Sequence, residues 1–234
     1  MKNRLNEIRE SEKKSHTKIY SNEKLYNTNS WLSKPIKTVC EVAGLFADYK
    51  QIRVLDLGAG VGRNSIYLAQ QFKEKECLID CVDLLDIAIE ILDQNAAEYD
   101  VCKFINGMVA TIEDFSIEQD SYDLIMAISA LEHVDSKKSF ISKLEQIKQG
   151  VRSGGVVLLI MNSQVKEINA NTLEELEPQF EVNLSTTEML ELLDDIFFEF
   201  TVIKKNIVTQ EYDIPREDII SRLYTNVVTY VARR

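Results

Sequence analysis

Apolar residues gather in five short, nearly continuous runs, near 52–57, 78–82, 102–105, 123–128 and 155–161. At 62–72, 86–98 and 137–149 they recur instead at helical spacing. Continuous runs of this length predict strands covered on both faces, and their alternation with helices predicts parallel βαβ units. Upstream, residues 1–34 are polar, with Tyr20, Tyr26 and Trp31 placed irregularly. Pro35 suits the first turn of a helix whose face carries Ile36, Val39, Cys40, Ala43 and Phe46. Ser153-Gly-Gly155 predicts a turn before the fifth strand.

Beyond residue 161 the pattern changes. Residues 162–185 are polar, rich in acids and too long for an ordinary connection, which predicts a lid or specificity insertion. Ser185-Thr-Thr-Glu188 has capping-box spacing and opens another helix. Two β-rich runs, around 198–209 and 223–232, close the chain, and no internal repeat is present.

The first strand carries the most specific chemistry. Arg53-Val-Leu-Asp-Leu-Gly-Ala-Gly-Val-Gly-Arg-Asn-Ser-Ile-Tyr-Leu-Ala69 ends an apolar run in Asp56, turns through Gly58, Gly60 and Gly62, and enters a helix. Glycine lets a backbone approach a ligand closely and adopt positive φ, and a helix start presents free N–H groups. A nicotinamide or flavin site would read G-x-G-x-x-G, with its third glycine at position 63, where this chain has Arg63. An acid two residues before the first glycine gives a pyrophosphate binder nothing. S-adenosylmethionine, by contrast, is a net cation, and Asp56 would attract its ammonium directly or through water. The next apolar run ends in Asp83, where a βαβ unit would set a carboxylate to accept the ribose hydroxyls; the competing reading is a helix cap.

At this point the sequence resembles the class I S-adenosylmethionine-dependent methyltransferases, and within them the tellurite-resistance type of small-molecule methyltransferase. The likeness rests on Asp56–Ala69, Tyr122-Asp-Leu-Ile125, Ala130-Leu-Glu-His-Val134 and the terminal Val228–Arg234, and spans roughly residues 50–234. It implies an α/β, Rossmann-like, doubly wound sheet of seven strands with an antiparallel last strand. A single domain would then cover 1–234, with a cap at 1–49, a cofactor core at 50–161, the lid at 162–185, and a last helix and strands at 186–234.

The resemblance also places the cofactor. Asp56, Gly58, Ala59, Gly60, Gly62, Arg63 and Asn64 would form its loop, with Asp83, Leu84 and Leu85 beside the ribose. The segment after the third strand, Val109-Ala-Thr-Ile-Glu-Asp-Phe115, would reach the adenine. There Thr111 stands where the family has an acid, Ile112 is the apolar neighbour, and Glu113 or Asp114 would substitute if the loop shifts. Ser129 and Ala130, at the fourth strand's end, would offer carbonyls to the ammonium, with Glu132 and His133 nearer the reacting centre. A neutral His133 could take a proton from a substrate, or simply shape the pocket.

Alignment of acceptor, methyl and sulfur supplies much of the rate, so a strong base is not obligatory. Tyr20, Tyr26 and Trp31 would wall the acceptor side or fasten the N-terminal segment. The family's His-Arg pair before the last strand is replaced by Gln210-Glu-Tyr-Asp213, which weakens a chalcogen-oxyanion substrate.

Composition narrows the partners. The 234-residue chain is 45% hydrophobic and 28% charged, enough for a full core. Its net charge of −11 argues against nucleic acid, and the basic residues of 2–34 are interleaved with Glu7, Glu10, Glu12 and Glu23. No run is long enough to span a membrane. Cys40, Cys77, Cys81 and Cys102 lack zinc spacing and read as core thiols, so no metal is expected. The expected protein is a cytoplasmic S-adenosylmethionine-dependent methyltransferase, monomer or homodimer, acting on a small-molecule nucleophile by in-line displacement and releasing S-adenosylhomocysteine. The alternatives are a non-catalytic scaffold that binds S-adenosylmethionine or S-adenosylhomocysteine, and, further off, an NAD-dependent oxidoreductase.

Overall fold

The computed structural model describes residues 8–10, 13, 20, 23–28, 30, 32–215 and 219–234. Helix α1 (Lys37–Ala43) leads into β1 (Gln51–Leu57), α2 (Arg63–Gln71), β2 (Glu76–Asp83), α3 (Asp86–Glu98) and β3 (Ile105–Val109). Then come β4 (Tyr122–Ile128), α4 (Lys137–Gly150), β5 (Val151–Asn169), β6 (Glu175–Leu176), α5 (Thr186–Ile196), β7 (Thr201–Pro215) and β8 (Ile220–Arg233). The strands form one sheet in the order β3, β2, β1, β4, β5, β8, β7, with β6 paired to β5. β1 to β5 are parallel, whereas β8 runs antiparallel to both β5 and β7.

Successive strand residues feed opposite cores. Val54, Leu124, Val156 and Leu158 pack with Ile66 and Leu68 of α2 and Ala88 and Leu92 of α3. Their neighbours Leu55, Ile125, Val157 and Leu159 pack with Phe140 and Leu144 of α4 and Leu193 of α5. This alternation explains the unbroken apolar runs: β1, β4 and the middle of β5 are buried on both faces. Two helices start on side-chain caps. Ser136 Oγ accepts the Ser139 N–H before α4, and Ser185 Oγ accepts the Glu188 N–H before α5, where the capping box was expected.

The chain lays β1, β2 and β3 to one side, then crosses to β4 and β5 on the other. That reversal opens a crevice at the carboxyl ends of β1 and β4, where doubly wound sheets take their ligands.

Several boundaries differ from expectation. The third strand is Ile105–Val109, while residues 102–104 form a 3₁₀ turn. Cys102 is exposed there and only Cys81 of the four cysteines is buried, so most are not core thiols. The turn at Ser153–Gly155 lies inside β5, with Gly154 at φ +80° and a register shift opposite, between Tyr122 and Leu124. The expected lid begins as sheet: β5 continues to Asn169 and pairs with the start of β8, and β6 makes the sheet eight-stranded. Among the described residues, no helix is long and apolar enough to cross a membrane.

Gly62 precedes α2 at φ +87°, and a Cβ there would stand 2.3 Å from Leu92 Cδ1. Gly62→Ala is therefore expected to destabilise the fold by about 2 kcal/mol or more, combining left-handed strain with a clash in the α2–α3 contact. Urea denaturation checks it, with a lower midpoint at an unchanged slope.

Candidate functional site

The loop after β1 and the end of β2 are stitched together by backbone donors. Gly58 and Ala59 N–H groups donate to Val82 O at 2.8 and 3.0 Å. Gly60 N–H donates to Asp83 Oδ2 at 2.8 Å, and Leu85 N–H donates to Asp83 Oδ1 at 2.9 Å. Each carboxylate oxygen keeps further lone-pair capacity for a ligand. Burial pushes the Asp83 carboxyl up, opposed by the Leu85, Gly60 and Leu84 N–H groups. Ala110 N–H donates to Asp83 O at 2.9 Å, which draws the segment after β3 to the same place.

An open cavity lies over this junction. Its wall is Tyr20, Gly58, Asp83, Leu84, Leu85, Ile112, Glu113, Ser129, Ala130 and His133. Gly58 sits at φ +76°, and a Cβ on it would meet the Ala130 Cβ at 2.3 Å, so only glycine admits the β4 loop this close. Ser129 is left-handed at φ +50° without being glycine, and its N–H donates to Ile160 O at 2.7 Å. Backbone strain of this kind gathers at ligand sites. The walls suit a nucleoside: a carboxylate for hydroxyls, Leu84 and Ile112 for a flat ring, and a glycine cradle between them.

Other expected site residues point elsewhere. Asp56 does not line the cavity: it is 2% exposed and accepts the Ser65 hydroxyl at 2.5 Å, tying β1 to α2. Asn64 is spent likewise, its Oδ1 accepting the Ile36 N–H at 3.0 Å ahead of α1. Ala59, Gly60, Gly62 and Arg63 shape the loop behind the wall rather than the wall itself. Thr111 is absent from the wall because its hydroxyl donates to Asp114 at 2.7 Å and accepts the Asp114 N–H, closing a local turn.

Glu132 is fully buried, its Oε1 accepting the Asn162 N–H and side-chain amide at 2.9 and 2.7 Å. Tyr26 packs edge-to-face on Tyr99, and its hydroxyl donates to Arg63 O at 2.8 Å, so it fastens the N-terminal segment. Tyr20 does reach the cavity, above Gly60. Trp31 lies outside the described residues.

Three residues near the cavity were not foreseen. Glu181 Oε2 stands 3.0 Å from His133 Nδ1, Phe180 stacks on the same ring at 5.1 Å, and Arg9 pairs with Glu113. Glu181 belongs to an acidic run with Glu174, Glu175 and Glu177, and no periodicity or cap spacing singles it out. An aromatic–acid pair in a polar stretch is its one visible signal.

Residues 54–155 match a family model described as a methyltransferase domain. The chain is 30% identical over 124 residues to a tRNA N(3)-cytidine methyltransferase of Mus musculus, a match covering 51% of this chain and 30% of that protein. It is 32% identical over 113 residues to a mitochondrial ubiquinone biosynthesis O-methyltransferase of Dictyostelium discoideum, covering 46% of this chain and 34% of the relative. The chain thus spans about a third of the length of these curated relatives. The crystal structure of TehB from Haemophilus influenzae superposes with a TM-score of 0.62 at 20% identity, covering 84% of this chain and 61% of TehB.

Asp56 yields a pH prediction. Burial, with the charge of Asp83 adding and the Ser65 hydroxyl opposing, pushes its carboxyl from the usual 3.8 up to about 7. A folded-state value above the unfolded one means the native protein holds this proton more tightly. Stability from the protonated group is therefore complete below about pH 4 and lost as pH rises to about 7. Asp56→Asn, uncharged but still able to accept from Ser65, is expected to gain on the parent across that window, by on the order of 1–4 kcal/mol. Urea midpoints from pH 4 to 8 check this; a constant offset would contradict it.

Proposed function

As the chain carries a class I S-adenosylmethionine-dependent methyltransferase domain, we propose that it transfers a methyl group to a small-molecule nucleophile. The carrying observation is a single cavity that has Asp83 and the Gly58 cradle on one wall and His133 on another. Asp83 would take the ribose hydroxyls, and Leu84 and Ile112 would hold the adenine. Gly58, Ser129 and Ala130 would let the amino-acid end approach the backbone. S-adenosylmethionine, when bound, supplies a methyl group activated by its positively charged sulfur. The protein's share is to bind, orient and exclude water, which can account for ~7–11 kcal/mol of the barrier through alignment.

Acceptor size and charge follow from the walls. No lysine or arginine lines the cavity among the described residues, while Asp83 and Glu113 do. Together with the net charge of −11, this disfavours a polyanion such as the tRNA of one relative, because phosphate neutralisation needs basic groups. The ubiquinone-pathway relative, an O-methyltransferase by name, fits a small neutral acceptor better. The four free cysteines suit a reducing compartment such as the cytoplasm.

Calorimetric titration with S-adenosylmethionine, S-adenosylhomocysteine and NAD is expected to give binding for the first two alone; binding of NAD alone would overturn the reading. Asp83→Ala, checked for folding by thermal melting, should weaken S-adenosylhomocysteine binding by roughly 1.5–3 kcal/mol, the loss expected for hydrogen bonds to a charged group. Radiolabelled methyl should pass into the low-molecular-mass fraction of a metabolite extract. Label in added tRNA instead would refute the small-molecule acceptor, and label in neither would leave a cofactor-binding scaffold.

A further inference from the structure

We propose that Glu181 is a positioning residue for His133, fixing the ring in the tautomer whose Nε2 accepts a proton, and that the acceptor is accordingly a compound that sheds a proton on methylation, a hydroxyl or an amine. This rests on the methyltransferase reading above.

The geometry is specific. Glu181 Oε2 lies 3.0 Å from His133 Nδ1, and the Glu181 side chain is 2% exposed against 25% for the histidine. Burying a carboxylate costs free energy unless it is partnered, so an apolar residue would make a better cover if covering were the only task. Phe180 already covers, stacked on the imidazole at an interplanar angle of 27°.

Backbone bonds seat the acid. Val182 N–H donates to Glu132 O at 3.0 Å, joining the segment to the residue before His133. Gln164 N–H donates to Leu184 O at 2.7 Å, and Asn183 exchanges two hydrogen bonds with the Val165 backbone at 2.9 and 2.8 Å. Glu181 is therefore held from β5, not carried on a loose loop. Arg9 adds a cation: its Nε is 3.8 Å from Glu181 Oε1 while another of its nitrogens pairs with Glu113.

An ionised carboxylate at Nδ1 can only accept, so Nδ1 carries the hydrogen and Nε2 the lone pair. As the acceptor's oxygen or nitrogen bonds to the methyl carbon and the carbon–sulfur bond breaks, the proton on that atom passes to Nε2. The resulting imidazolium faces the Glu181 carboxylate and is stabilised by it. Thiolates and selenides arrive without that proton and would leave the pair idle. Anionic acceptors would also meet Asp83 on the cavity wall.

Histidine ¹⁵N shifts test the tautomer without turnover. The chain has two histidines, so a His16→Gln background leaves His133 alone in the spectrum. With S-adenosylhomocysteine present, a protonated Nδ1 and a pyridine-like Nε2 are expected. Glu181→Leu should move the population towards protonated Nε2. Where that variant does not fold, Glu181→Gln should make the same move in smaller degree. An unchanged tautomer in a folded variant, or protonated Nε2 in the parent, overturns the role of Glu181.

The second readout uses S-adenosylmethionine with a ¹³C-labelled methyl group and a metabolite extract. The label is expected as an O-methyl or N-methyl resonance whose rate of appearance falls about tenfold or more in Glu181→Leu, at unchanged S-adenosylhomocysteine affinity. An S-methyl or Se-methyl product overturns the proton-shedding acceptor. Failure of the parent to bind S-adenosylhomocysteine would instead count against the methyltransferase reading itself.

Discussion

The carboxylate of Asp83 is the tie on which the site depends. It takes the Gly60 N–H at 2.8 Å and the Leu85 N–H at 2.9 Å, locking the loop after β1 to the end of β2. The same residue's carbonyl holds Ala110, so three connecting segments converge on one side chain and its backbone. Because β1 and β2 are parallel with Leu57 level with Val82, Asp83 stands one residue beyond the end of β1. The crossover between β1 and β4 leaves open space above it. Pre-formed backbone donors around a partly exposed acid make a binding wall that need not reorganise when a ligand arrives.

Four acids around this crevice show how environment divides labour. Asp56, two residues from the first glycine, is sealed in and tied to Ser65, where its value to the fold is greatest when protonated. Asp83 keeps one edge on the cavity. Glu113 is neutralised by Arg9 from the N-terminal segment. Glu181 is buried against His133. Residue type alone distinguishes none of them; partners and burial do.

Much of the fold was legible in the sequence because β1, β2 and β4 are buried on both faces and so read as unbroken apolar runs. The apolar pattern sets β3 too early because Asn106 and Gly107 interrupt it at the rim of the sheet, while Phe104 is buried from a 3₁₀ turn. From sequence, the far half of β5 reads as a lid. Its exposed Gln164 and Lys166 alternate with buried Val165 and Glu167, the signature of a strand, but the run's polarity masked it. At the site, the glycine turn and Asp83 were legible because their roles are set by local backbone. The burial of Asp56 was not, since it depends on Ser65 being brought round by the first turn of α2. Glu181 was invisible for the same reason on a larger scale. It meets His133 across a sequence separation of 48, through pairing of its segment with β5 that no local pattern encodes.

A crystal structure with S-adenosylhomocysteine bound is the decisive measurement. Both ribose hydroxyls are expected on the Asp83 carboxylate and the adenine between Leu84 and Ile112, with the sulfur opening towards His133. A nucleoside seated away from Asp83, or a sulfur turned from His133, would contradict it.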